Sequence, residues 1–468
     1  MNGLSRKIYL ELPLPTEDDP RSDQQRILDS LMAAGVEERV HIPVHILRKL
    51  YPLLDNAKWK ITVSLAWNGE NWEMVEIEEG DTTAQHYGLA VDLGSTTVVA
   101  RLLDCNSGEI LKEVSCFNKQ IQWGTDILSR IFYCKDNKEK LEEVRRATVE
   151  SICECLDKLD ASHSALSMVI AGNTTMIHFL LGMDAFCVFY TPHAVHADCP
   201  GFQLARDLDI PLKGYVYCYP AKSNYLGGDI ISGMIDTELY KKNEISVFFD
   251  IGTNGELVIG NKEFLLCGAG AAGPALEGGV VRTGMRADIG AVDEVKIRDG
   301  NIYVHVIGSH KEDSGSHEKN SGNHEENSSG EEPRGICGSG IIDLIAELFL
   351  EGWIDIRGKL SPEKSPLIQE RDNQLCVEYA PGLYFYQKDI DEFIRTKSAA
   401  HTMVEIMLRE SGLDLNQADR FYVAGAFGKY VSKESAITIG MYPDMDRDHI
   451  INAGNSSLEG AQKLLLNR

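Results

Sequence analysis

The chain has 468 residues, 43% of them hydrophobic and 25% charged. This is ordinary globular usage, which excludes a wholly disordered or fibrous protein and suggests about three domains at roughly 100 to 200 residues each. Lys and Arg number 46 against 71 Asp and Glu, a net charge of −25, and such a field repels phosphate backbones and anionic lipid, so no nucleic acid and no membrane is expected as a partner.

No apolar run approaches the ~18 residues of a spanning helix, and Arg6 to Pro13 lacks the long hydrophobic centre of a signal peptide. Eleven scattered cysteines without a Cys-x-x-Cys pair point to free thiols in a reducing, cytoplasmic setting. Cys153 and Cys155, two apart in a helical pattern, face different ways and read as packed thiols rather than a metal site.

Residues 1–86 read as a small α/β module. Ile8 to Leu12 alternates as a strand, and Ser22 caps a helix running through Leu28 and Met32 to a stop at Gly35. Trp59 to Trp67 and Trp72 to Ile77 form a hairpin on Asn68-Gly69. No catalytic constellation stands here, so scaffold or docking is the expected role.

Residues 87–243 read as a first lobe. Gly88 to Ala100 is an apolar strand, a tight polar turn and a second strand, and a third strand follows Asn106-Ser107-Gly108 from Glu109 to Ser115. The layout recurs in residues 244–468, where Val247 to Ile259 is again strand, turn and strand, followed by Phe264-Leu265-Leu266. Asp92 matches Asp250 and Gly94 matches Gly252, and repetition of a whole meander predicts two similar lobes facing one another. Within the second lobe Ser309 to Pro333 is a degenerate seven-residue repeat without an apolar residue before Pro333. It reads as a disordered surface loop, its His310, His317 and His324 lacking the preorganisation of a metal site.

An Asp ending a strand and followed by x-Gly-Ser/Thr at a hairpin tip gathers several useful groups. Gly lets the backbone approach a phosphate, hydroxyls and amides donate to it, and the carboxylate can hold Mg²⁺ directly or through water. One such motif is common by chance; two on duplicated meanders can clamp one polyphosphate. Farther on, Phe421 to Tyr430 is a strand entering a glycine-rich turn on which an adenine-ribose could lie, although alone it would read as a plain turn.

Together these segments resemble the superfamily of acetate and sugar kinases, heat-shock chaperone ATPase domains and actin. Asp92 to Thr97 is similar to its first phosphate motif, Asp250 to Gly255 to its second and Gly425 to Gly428 to its adenosine motif. Ala171 to Met176 and Gly454 to Ala461 resemble its two connecting motifs. Asn118-Lys119-Gln120, Gly124 to Arg130, Gly270 to Gly278, Gly335 to Gly340 and, in the first module, Asp18-Asp19 and Asp23 to Leu28 further resemble the reductive activators of corrinoid proteins. That resemblance implies a two-lobed actin-like α/β fold, and use of ATP to drive the uphill one-electron reduction of Co(II) to Co(I) on a methyl-transferring corrinoid protein.

By that resemblance Asp92 and Asp250 hold the metal, while Gly94, Ser95, Thr96, Thr97, Asn173, Gly252, Thr253, Asn254 and Gly255 receive the phosphates. Gly425, Ala426 and Gly428 carry the adenosine. Asp229 orients the attacking water or is an ordinary helix cap. Gly268 to Gly279 is too glycine-rich for a regular element; its amides read as an anion nest or as the close subunit contact of a homodimer, with Glu277 reaching the ribose. One departure stands out: the activators carry an N-terminal [2Fe–2S] domain, and here the first cysteine is Cys105. No iron–sulfur cluster is expected in this chain, so the electron would come from a separate ferredoxin-type donor, or the chain is trimmed, or redox work is lost. A small-molecule kinase and a non-catalytic nucleotide switch are the alternative functions.

Overall fold

The computed structural model describes all residues except 1–2, 125, 163, 253–254, 271–280, 310–330, 415–416 and 426–430, and the side chains at 399 and 400. The described chain divides into two units: Met1–Glu238 with Ser456–Arg468, and Leu239–Asn455.

In the first unit, strands β1 (Ser5–Glu11), β2 (Val40–His41), β3 (Lys60–Trp67) and β4 (Trp72–Glu79) form a sheet of order β1-β3-β4-β2. The β3–β4 hairpin turns where Asn68 Oδ1 accepts from the amides of Glu70 and Asn71 at 3.0 and 2.9 Å, the local bonding that makes Asn a turn former. The helix Asp23–Ala33 begins at Ser22, whose side chain accepts from the Gln25 amide, and ends before Gly35 at φ +84°. It buries Ile27 and Leu31 against the sheet. Its enclosed Arg26 donates to Asp19 Oδ2 at 2.6 Å. Arg21 grips the same carboxylate at 2.8 Å through two nitrogens.

The second sheet of this unit contains β5 (Tyr87–Leu93), β6 (Thr97–Asp104), β7 (Ile110–Phe117), β8 (Ser167–Gly172), β9 (Gly201–Leu204) and β10 (Tyr215–Cys218), in the order β7-β6-β5-β8-β10-β9. β5, β6 and β7 form an antiparallel meander, and β8 and β10 add to it in parallel. Residues on one face, among them Leu89, Val91 and Ile170, join the helix Lys138–Lys158 in a core, and those on the other, Ala90, Val169 and Ala171, pack under the C-terminal helix Ser456–Leu466.

In the second unit, β11 (Ser246–Ile251), β12 (Gly255–Gly260), β13 (Leu265–Gly270), β20 (Arg420–Ala424) and β21 (Ile450–Gly454) follow the order β13-β12-β11-β20-β21. This is again an antiparallel meander extended by two parallel strands. The duplication read from the two Asp-containing motifs is therefore a duplication of topology. Two further sheets complete the unit: β14 (Ala291–Arg298), β15 (Asn301–Val306) and β16 (Gly335–Ile336), and β17 (Ile368–Arg371), β18 (Gln374–Ala380) and β19 (Leu383–Tyr386).

One expectation is corrected. Gly268, Ala269 and Gly270 are regular strand, paired with Leu257, Glu256 and Gly255. Their glycines make room for the long helix Gln387–Ser411, because a Cβ at Gly268 would stand 2.5 Å from Met407 Sδ and one at Gly270 3.1 Å from Met403 Sδ. Residues 271–280, and 310–330 of the expected loop, lie outside the described residues. Among the described residues no helix is long and apolar enough to cross a membrane, and all eleven cysteines are free.

Candidate functional site

In the first unit the strand end of β5 places Asp92 beside the turn 94–96. Gly94 is required there, since a Cβ would lie 2.4 Å from the Thr97 carbonyl oxygen. The turn is gripped from behind. Asn118 Nδ2 donates to the Gly94 carbonyl at 2.9 Å, the Asn118 amide to that of Thr96 at 2.9 Å, and Arg130 Nη1 to that of Ser95 at 2.6 Å. A trans peptide sends its C=O and N–H in opposite directions, so the Ser95, Thr96 and Thr97 amides are turned away from Asn118 and Arg130. Among the described residues the Ser95 and Thr96 amides have no acceptor.

The neighbouring β8 ends in Gly172, where a Cβ would come within 2.9 Å of the Leu93 carbonyl oxygen. Asn173 follows, capping the helix Thr174–Leu180 by accepting from the Met176 amide at 3.0 Å. Against it lies Gly227, where a Cβ would stand 2.5 Å from Asn173 Cα and 2.7 Å from Asp229 Oδ1. Asp92, the turn 94–96, Asn173 and Asp229 are thus brought together by close backbone approaches that only glycine permits.

Asp229 is not a helix cap. Gly227 holds that position for the helix Gly228–Thr237, and Asp229 sits in its first turn, accepting from the Ile230 amide at 2.9 Å. The residue is half-buried. Burial, with the Asp92 charge adding to it, pushes its pKa up to about 6. Asp92 itself accepts from Ser457 Oγ at 3.0 Å, and Ser232 Oγ donates to the Ser457 carbonyl at 2.7 Å.

In the second unit Asp250 is the last but one residue of β11, as Asp92 is of β5, and Gly252 follows the strand. Gly425 has φ +88°, and a Cβ there would lie 2.6 Å from the Ile251 carbonyl oxygen and 3.0 Å from Asp250 Oδ1. Gly425, which follows β20, therefore lies directly against the second Asp motif, and Gly255 begins β12. Thr253, Asn254, Glu277, Ala426 and Gly428 lie outside the described residues. Among the described residues no group of three or more His, Cys, Asp or Glu is gathered as a ligand set; a single carboxylate with waters is what Mg²⁺ ordinarily takes, so Asp92 and Asp250 fit that ion.

Sequence reasoning did not assign Ser457, Asn118 or Arg130 a role. Arg130 carried a signal: it shares the buried face of the helix Ile127–Cys134 with Ile131 and Cys134, an unusual place for a guanidinium.

Residues 1–84 match the family described as RACo linker region, 87–242 the RACo middle region, and 244–468 the C-terminal domain of RACo, the ASKHA domain. The chain is 30% identical over 407 residues to the corrinoid activation enzyme RamQ of Eubacterium limosum, covering 82% of this chain and 64% of that protein. It is 25% identical over 395 residues to a reductase of the methylated amine-specific corrinoid protein of Methanosarcina barkeri, covering 82% and 70%. A solved reductive activator for a corrinoid, iron–sulfur protein superposes with TM-score 0.87 at 35% identity, over 100% of this chain and 74% of that one. The chain thus spans about two thirds of the length of these curated relatives, and its fold is the two-lobed actin-like ATPase fold of the ASKHA domain. On this architecture and these identities, the chain belongs to the family of reductive activators of corrinoid proteins.

Proposed function

We propose that this chain binds and hydrolyses Mg-ATP and uses it to promote reduction of Co(II) to Co(I) on a methyl-transferring corrinoid protein, with the electron supplied by a separate ferredoxin-type donor. The observation that carries the nucleotide reading is the turn 94–96 whose carbonyls are all drawn backward, beside Asp92 and beside Asp229 with its raised pKa.

Each residue then has a task. The Ser95, Thr96 and Thr97 amides and hydroxyls donate to phosphate oxygens, and Asp92 and Asp250 hold the metal. When bound, Mg²⁺ neutralises charge on the phosphates. Ser457 keeps the Asp92 carboxylate oriented. Asp229, ionised above about pH 6, accepts a proton from a water and aims it, the role suited to a carboxylate whose pKa lies near neutrality. Gly425 brings the backbone after β20 down onto Asp250 and supports the adenosine. Work on a partner follows if nucleotide favours one conformation of the chain over another, because a ligand shifts an equilibrium by its differential affinity.

The test mixes the purified chain with a Co(II) corrinoid protein, ferredoxin and reductant, and follows Co(I) absorbance. The signal is expected to require ATP and to vanish in Asp92→Ala. ATP-independent Co(I) formation would refute the coupling, and absence of ATP or ADP binding by calorimetry at millimolar nucleotide would refute the nucleotide reading.

A further inference from the structure

Among the described residues Arg130 is a buried cation without an acid partner in contact. Its side chain is 0% exposed, and its hydrogen bonds go to neutral acceptors: Nη1 to the Ser95 carbonyl at 2.6 Å and Gln120 Oε1 at 3.1 Å, and Nε to the Gly124 carbonyl at 3.0 Å. Nη2 is enclosed and has no partner among the described residues. Desolvation pushes the guanidinium down to about 10, still charged at neutral pH. The acid whose charge acts on it, Asp126, spends its carboxylate on the Ser129 amide and hydroxyl at 2.8 and 2.7 Å, starting the helix.

A buried charge left uncompensated is costly unless something neutralises it. The surroundings are built to hold this one in place. Gly124, at φ +147°, allows the approach of Ser129, whose Cβ would be 2.4 Å from a Cβ at residue 124. Gln120 is fixed by a hydrogen bond from its Nε2 to Thr148 Oγ1, and Asn118 Oδ1 accepts from the Gln120 amide at 3.0 Å. The same Asn118 holds the carbonyls on either side of the one Arg130 holds. The segments Asn118–Gln120 and Gly124–Arg130 therefore converge on one object, the back of the phosphate turn.

Resting on the nucleotide reading above, we infer that Arg130 is a positioning residue whose charge is completed by the bound polyphosphate: it fixes the Ser95 peptide so that the adjoining amides face the phosphates, and the phosphates supply, across that peptide, the negative charge its own pocket lacks. Asn118 is its neutral companion, setting the two flanking peptides. Removing the charge while keeping a donor separates the electrostatic part from the steric one.

The experiment measures ATP, ADP and AMP affinity by calorimetry for wild type, Arg130→Gln, Arg130→Lys and Asn118→Ala, with thermal unfolding of each. Arg130→Gln is expected to bind ATP and ADP about tenfold more weakly and AMP with little change, while Arg130→Lys recovers part of the loss. Unchanged ATP and ADP affinity in a folded Arg130→Gln overturns the inference but leaves the nucleotide reading standing. Equal loss for all three nucleotides marks a general packing role and also overturns it. Wild type that binds no nucleotide removes both. Should the variants fail to fold, hydrogen exchange on wild type decides: the Ser95 and Thr96 amides are expected to exchange fast in the free chain and to gain protection with ADP, and protection already present without nucleotide contradicts the arrangement.

Discussion

Ser457 Oγ donates to Asp92 Oδ1 at 3.0 Å, so the acid of the first phosphate motif is held by the first turn of the C-terminal helix. That helix is seated by Gly460, where a Cβ would lie 1.9 Å from the Ser232 carbonyl oxygen, and by the Tyr219 hydroxyl donating to the Gly460 carbonyl at 2.8 Å. A hydrogen bond to a charged group contributes ~1.5–3 kcal/mol. Ser457→Ala is expected to weaken Mg-ATP binding about tenfold, and Asp92→Ala to abolish hydrolysis with the fold retained. Calorimetry and a phosphate-release assay check both; full activity in Asp92→Ala would remove this acid from the site.

Asp229 gives a pH dependence with a defined sign. As the residue that takes the proton, it must be ionised, so kcat/KM for ATP should rise through about pH 6 and level above it, and Asp229→Asn should lose that limb together with most activity. For stability the sign is opposite. A folded pKa raised above the unfolded value means the favourable protonated state is fully present below ~4 and is lost as pH rises through about 6. Asp229→Asn is therefore expected to be more stable than wild type at pH 8, on the order of 2 kcal/mol, in denaturant titrations. Equal stability of the two at pH 8 would contradict the raised pKa of Asp229.

Gly425 and Gly35 form a matched pair. Both have left-handed φ, +88° and +84°, but a Cβ at Gly425 meets Ile251 O and Asp250 Oδ1, whereas one at Gly35 meets nothing within 4 Å. Gly35→Ala should cost ~1 kcal/mol from backbone conformation alone. Gly425→Ala should cost more and also lose nucleotide affinity, because it pushes the turn off Asp250. Thermal unfolding and ADP titration separate the two; identical behaviour would mean that the close approach does not matter.

The ends of the polar repeat meet. A Cβ at Gly308 would lie 3.1 Å from Glu331 Cγ, and Gly290 bonds both to Ile307, by its N–H, and to Arg334, by its C=O. Replacing 310–330 by a short Gly-Ser bridge should thus span a small gap. Since the repeat brings no apolar side chain to a core, melting temperature and ATP affinity are expected to stay at wild-type values, and a drop of several degrees would reveal packing by the replaced segment.

The sequence by itself determined the duplicated meanders, the Asp and Gly positions at their tips, the hairpin on Asn68-Gly69 and the family. These are local: apolar alternation, turn residues and hydrogen-bonding side chains act within a few residues of themselves, and their spacing survives in a linear reading. Tertiary structure alone decided what stands behind and beside the tips. It made Gly268 and Gly270 strand by pairing them with Leu257 and Gly255, and it favours glycine there because a helix far along the chain leaves little room for a Cβ. It took Asp229 out of the cap position and half-buried it, with its pKa raised. It also joined Asn118 and Arg130 to the phosphate turn and Ser457 to Asp92. Burial, and contacts between residues hundreds of positions apart, arise only when sheets and helices pack, so the desolvation that sets a pKa and the partner that orients a carboxylate have no local signature.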